Sequence, residues 1–124
     1  MGTIRTFRDL VVWQKGMDFA AEVYRLTLSF PKEELYGLVI QLRRCVISVP
    51  SNIAEGFSRQ STADFQRFVE IALGSLYEAQ TQMELAYRLT YCDEADYKKL
   101  YEQAREIERM LCSLKSKLRG RKAS

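Results

Sequence analysis

Histidine does not occur anywhere in the 124 residues. Its absence removes the side chain that most often exchanges protons near neutral pH and most often binds metal. It excludes the usual Ser-His-Asp and Cys-His nucleophile arrangements. It also excludes the ExxH pairs on which carboxylate-bridged metal bundles are built. Cysteine is scarce. Cys45, Cys92 and Cys112 are odd in number, far apart and form no CxxC pair, which argues against a disulfide framework and a zinc site. They read as small packing residues. No P-loop, GxGxxG or HExxH motif is found. The expectation is a chain with no cofactor, no metal and no catalytic residues, hence no enzyme.

Long apolar runs are missing too. None approaches the roughly 18 to 20 residues that cross a bilayer. The first nine residues carry charge with no apolar block behind them, so no signal peptide is read there; the expected compartment is the cytoplasm. Proline occurs twice, at Pro31 and Pro50, and glycine six times. Period-two alternation is never sustained, which excludes a strand-built domain. Spacings of three and four recur throughout instead. The length suits one domain with its own apolar core.

Four helices follow from the pattern. The first is expected from about Asp9, as its cap, to Ser29, before Pro31 stops it. It has two apolar stripes. One is Leu10, Trp13, Met17, Ala20, Tyr24 and Leu28. The other, far around the helix, is Val12, Gly16, Phe19, Val23, Leu26 and Phe30. A helix apolar on two faces is central in its domain or buried against another chain. The reading taken here sets Val12, Phe19, Val23 and Leu26 against another copy. The second helix begins near Lys32 to Leu35 and ends near Gly56 to Ser58, with Leu35, Leu38, Leu42, Val46, Val49 and Ile53 as core. Pro50 within it predicts a kink or a break. Ser61 caps the third helix, whose seam Phe65, Val69, Ala72, Leu76, Ala79, Met83 and Ala86 runs on to Leu89 or Tyr91. Gly74 inside it implies a close helix approach or a packing role between copies. The fourth helix opens at Asp93 and carries Leu100, Ala104, Ile107, Leu111, Leu114 and Leu118 as a bundle seam. Gly120 is expected to end it. The predicted fold is all-α, an up-down-up-down antiparallel four-helix bundle. It comprises an N-terminal arm (1–8), the bundle (9–119) and a basic tail (120–124).

Charge is uneven along the chain. Residues 115–124 hold Lys115, Lys117, Arg119, Arg121 and Lys122 with no acid, while the remainder is slightly acidic. Such a terminus suits a polyanion, or else it is a solvated end. Arg44 and Arg67 point away from their core stripes, Arg59 sits in the connecting turn, and all three join it as candidate nucleic-acid contacts. Tyrosines do not interleave with the basic tail, so no base-stacking platform is indicated. Ser48, Asn52 and Glu55 on the second helix, and Ser75 and Glu78 on the third, flank the seams. They read as a structural polar network, with a ligand pocket around Asn52 and Glu55 or a contact between subunits as alternatives.

The opening Phe7-Arg8-Asp9-Leu10-Val11-Val12-Trp13-Gln14, the block from Arg43 to Gly56 and the pattern from Phe68 to Thr81 resemble the bacterial four-helix bundle proteins named for 23S rRNA intervening sequences. The resemblance spans roughly residues 5 to 118. It implies an up-down bundle similar to the accessory variability determinant proteins of diversity-generating retroelements. Those form homopentamers and bind nucleic acid and a reverse transcriptase. By that resemblance the expected partners are other copies of the chain, as a pentamer, with RNA or DNA. The alternative is a protein-interaction scaffold, for example an accessory subunit for a reverse transcriptase, with no direct nucleic-acid contact.

Overall fold

The computed structural model describes the backbone of residues 3–123 and the side chains of residues 3–120. The chain enters through a capped turn. The Thr6 hydroxyl accepts from the Arg8 N–H at 3.2 Å, and the Asp9 carboxylate accepts from the Arg5 and Thr6 N–H groups at 2.8 and 3.0 Å. This reciprocal capping box forms a 3₁₀ turn, Phe7–Asp9, ahead of α1 (Val11–Thr27). Asp9 therefore caps the turn and not α1, contrary to the sequence reading. The N–H bonds from Thr6 and then Arg5 hold its carboxyl below the usual carboxylate range. Leu10 occupies the α1 cap position and offers no side-chain bond.

The two stripes of α1 take the opposite places from those expected. Val12, Phe19 and Val23 are buried in the protomer's own core, Phe19 at 1% exposure, and Leu26 packs against that core. These four cannot form a free surface, and their assignment to a contact between copies is corrected. Phe19 reaches α3 and α4, where Met83, Leu100 and Ala104 share a small cavity with it. Of the other stripe, Met17, Tyr24 and Leu28 are in solvent, Leu28 at 77% exposure, while Ala20 is buried and Leu10 and Trp13 pack against the core. The physical reason is partner supply: three other helices surround the Phe19 face, and none covers the far side.

After Pro31 come a 3₁₀ turn, Lys32–Glu34, and a π-helical turn, Leu35–Val39, which lead into α2 (Ile40–Phe57). Helical torsions fail at Gly37 (φ −111°, ψ −106°). The Glu34 carboxylate steadies this segment by accepting from the Leu38 N–H at 3.3 Å and the Tyr91 hydroxyl at 2.9 Å. Leu35 is exposed rather than in the core. Pro50 does not break α2, which is continuous through it. The disruption lies a few turns upstream at Gly37, and Pro50 lies buried against α1. There a Cβ on Gly16 would sit in ordinary contact, 3.5 Å from Pro50.

Helix α3 (Thr62–Arg88) starts where the Ser61 hydroxyl accepts from the Asp64 N–H at 3.0 Å. Its expected seam is buried from Val69 to Ala86, with Phe65 partly so. Gly74 is exposed, and a Cβ there would meet nothing within 4 Å. No close helix approach inside the protomer explains it. At the other end the Tyr91 N–H reaches the Ala86 carbonyl at 2.9 Å and the Thr90 N–H reaches Tyr87 at 3.0 Å. That is a Schellman closure, and it forces Thr90 to φ 62°. Side-chain-bearing residues are strained in that left-handed region. Thr90→Gly is expected to stabilise the fold by about 0.5–1 kcal/mol, read as a higher midpoint in urea unfolding.

Helix α4 (Glu94–Ala123) starts at Asp93, whose carboxylate accepts from the Asp96 N–H at 2.8 Å. Leu100, Ala104, Ile107, Leu111 and Leu118 are buried. Gly120 does not end the helix, which runs through it to Ala123. Contacts join α1 to α2, α2 to α3, α3 to α4, and α4 back to α1. The architecture is an all-α, up-down-up-down antiparallel four-helix bundle around one apolar core. Among the described residues no helix is long and apolar enough to cross a membrane.

Candidate nucleic-acid interface and the grooves beside it

Antiparallel packing brings together residues that are far apart in sequence. The start of α1, the end of α2, the start of α3 and the end of α4 meet at one tip of the bundle. A groove runs between Leu10–Val12 and residues 109–117 of α4. Lys115 reaches Glu70 of α3 at 3.8 Å. A Cβ on Gly56 of α2 would lie 2.7 Å from the Cβ of Phe68. At this tip stand Arg5, Arg8, Arg59, Arg67, Lys115, Lys117 and Arg119, seven bases against the four acids Asp9, Glu55, Asp64 and Glu70. The opposite end has no such surplus: Glu22, Glu33, Glu34, Glu84, Asp93, Glu94 and Asp96 offset Arg25, Lys32, Arg43, Arg44, Arg88, Lys98 and Lys99.

The tip is held in place by specific contacts. The guanidiniums of Arg59 and Arg67 lie 4.9 and 4.5 Å from the centre of the Phe68 ring. Phe68 is 7% exposed yet stands outside the apolar core cluster, so these two cations form part of its cover. Arg59 also bonds Glu55 at 2.8 Å, and Arg67 lies 3.9 Å from Asp64. On the arm, Arg8 covers Phe7, which meets Trp13 edge-on at 5.2 Å, and the Gln14 amide donates to the Arg8 carbonyl at 2.8 Å.

Of the bases singled out from sequence, Arg59, Arg67, Lys115, Lys117 and Arg119 share this tip. Arg44 does not. It sits on the outer face of α2, fifteen residues before Arg59 and hence about 20 Å away along the axis. The Arg121 and Lys122 side chains lie outside the described residues. Arg5 and Arg8 were missed, because their position depends on which helix ends meet. The up-down order was the available signal: it must return the last helix to the first residues.

The polar network forms in part. Ser48 is its hub. Its hydroxyl accepts from Asn52 Nδ2 at 2.8 Å and from the Ser75 hydroxyl at 2.7 Å, and Asn52 Nδ2 also reaches the Ser48 carbonyl. This ties α2 to α3 at one register. Glu78 accepts from the Cys45 thiol at 3.5 Å. Burial first, and Glu78 second, push that thiol up to about 11. Buried on α2 and bonded to Glu78 of α3, Cys45 packs between the two helices. Glu55 stays out of the network, turned to Arg59.

A second feature lies on α1 and α2. Trp13, Met17, Tyr24, Ile47 and Pro50 wall an open groove of about 450 Å³ whose floor is alanine and serine. It is the exposed stripe of α1 continued onto α2.

The fold and this surface define a class: an antiparallel helical bundle with one basic tip, in which no three metal-ligating side chains cluster among the described residues. A family model described as 23S rRNA-intervening sequence protein matches residues 8–113, and the chain belongs to that family. A crystal structure of a protein of unknown function from the S23 ribosomal protein family of Bacteroides thetaiotaomicron superposes with a TM-score of 0.75 at 27% identity. The match covers 83% of this chain and 96% of that one. No curated protein matches.

Proposed function

We propose that the chain is a non-enzymatic, homo-oligomeric bundle that associates with RNA or DNA through its basic tip. The observation that carries this reading is the gathering of Arg5, Arg8, Arg59, Arg67, Lys117 and Arg119 at one end. Such a surface holds phosphates by charge, and the affinity depends on salt through counterion release. Four single-strand phosphate contacts would make binding about 50-fold weaker between 50 and 200 mM salt. Filter binding of a labelled RNA measures this, and Lys117→Ala with Arg119→Ala is expected to flatten the salt slope. Absence of binding at the lower salt would end the reading.

Self-association is assigned to the α1/α2 groove, because the Val12–Phe19–Val23 face is occupied by the protomer's own core. Met17 and Ile47 are both more than two-fifths exposed. Met17→Glu with Ile47→Glu is therefore expected to leave the fold intact and reduce the mass in light scattering to 14.4 kDa. A wild-type chain of that mass at micromolar concentration would count against the assignment. The same groove favours a second reading, a scaffold for another protein without nucleic-acid contact. Association that survives nuclease treatment separates the two.

A further inference from the structure

We propose that the groove between the start of α1 and the C-terminal half of α4 docks an acidic amphipathic helix of a partner protein. This groove is on a different face from the α1/α2 groove and has different chemistry. Its volume is about 380 Å³, its floor is Leu10, Val11, Met110 and Leu114, and Arg109 and Lys117 border it. Val11, at the first position of α1, is half exposed, although it belongs to an otherwise continuous apolar surface.

Two cations without an ion-pair partner among the described residues and the start of a helix are sources of positive potential along this groove. Other bases of this region are engaged: Lys15 with Glu106, Arg105 with Glu108, and Lys115 with Glu70. The acid beside the groove, Asp9, has its carboxylate turned to the Arg5 and Thr6 N–H groups. Arg109 and Lys117 have no ion pair among the described residues. They stand eight residues apart on α4, about 12 Å by helical rise, so they bracket two turns. The third source is the end of α1, which has no side-chain cap and no acid in its first turn; a helix N-terminus carries partial positive charge.

An apolar strip two turns long with a cation near each end complements a helix that has aliphatic anchors at i, i+3 and i+4 and carboxylates beside them. The cations would set orientation and on-rate, and the strip would hold the complex. Nucleic acid fits this groove less well. Its floor is aliphatic, without an aromatic ring for base stacking, and burying it requires an apolar partner surface.

The test is selection of helical 14-residue peptides from a display library on the full wild-type chain, on Val11→Glu and on Arg109→Glu/Lys117→Glu. All three positions are exposed, and an acid suits the first turn of a helix, so both variants are expected to keep the wild-type far-UV circular dichroism. Peptides enriched on the wild type should flank apolar i, i+3, i+4 anchors with carboxylates. They should bind each variant about tenfold or more weakly, and selection on the charge-reversed variant should turn to lysine- and arginine-bearing peptides. No enrichment, enrichment indifferent to charge, or binding that survives Val11→Glu overturns the proposal. So does a 20-nucleotide RNA captured through Arg109 and Lys117 when no peptide is enriched. A Val11→Glu chain that falls to a lower mass in light scattering also overturns it, by assigning the groove to a second copy.

Discussion

Replacing Phe19 with alanine is expected to destabilise the protomer by about 3–5 kcal/mol. Phe19 is the largest of the completely buried side chains, and it projects from α1 between α3 and α4. Truncation removes a ring that three helices enclose, and those helices cannot collapse onto the space without losing their own register. A domain of this kind has a total stability of only about 5–15 kcal/mol. The variant is therefore expected to lose a large part of its stability, seen as an early urea midpoint. Met17→Ala on the opposite stripe is the matched control. Its side chain is 45% exposed, and the change is expected to stay within about 1 kcal/mol. Equal costs at the two positions would mean that the inner and outer faces of α1 have been assigned wrongly.

The same substitution at two glycines is expected to act with opposite sign. A Cβ on Gly56 would lie 2.7 Å from the Phe68 Cβ and 2.9 Å from Phe65 Cδ1. The first of these atoms is fixed by the backbone, so α2 and α3 must separate. Gly56→Ala is expected to cost about 1–3 kcal/mol, even after the gain in helix propensity. It should also disturb the two arginines that rest on Phe68, and with them the proposed RNA contacts. Gly74→Ala adds its methyl group to open space and is expected to gain about 1 kcal/mol. Chemical unfolding of both variants reads the sign directly. A loss at Gly74 would place another chain against that side of α3.

The seams of α3 and α4 could be read from sequence because each helix has one apolar stripe and therefore one possible inner face. Helix α1 has two, and periodicity reports that a face exists without saying which side is inside. Composition held a clue. The outer stripe contains Tyr24 and a partly buried Trp13, whose rings have polar tips, while the buried one is Val12, Phe19 and Val23. The role of Asp9 is hidden in the sequence because Thr6, three residues earlier, completes a capping box around a turn too short to show a helical period. Pro50 predicts a kink or a break in α2; the helix is not broken there, and the non-helical torsions fall at Gly37, in a turn with little cover.

The site was legible only as chemistry. Ser48, Asn52 and Ser75 could be matched because both helices repeat at the same spacing. Which bases share a surface could not be read, since that depends on how the ends of four helices line up. Arg44 looked equivalent to Arg59 in the sequence, and α2 carries it towards the opposite end.

A surplus of positive charge confined to one tip gives this rod-shaped molecule an electric axis along its length. A polyanion at a distance exerts a torque that turns the rod before the surfaces touch. Collisions with such a polyanion would be biased towards end-on arrival, which would leave the long flanks open. At high ionic strength the Debye length falls to a few ångströms, and that alignment is lost before the contacts themselves are.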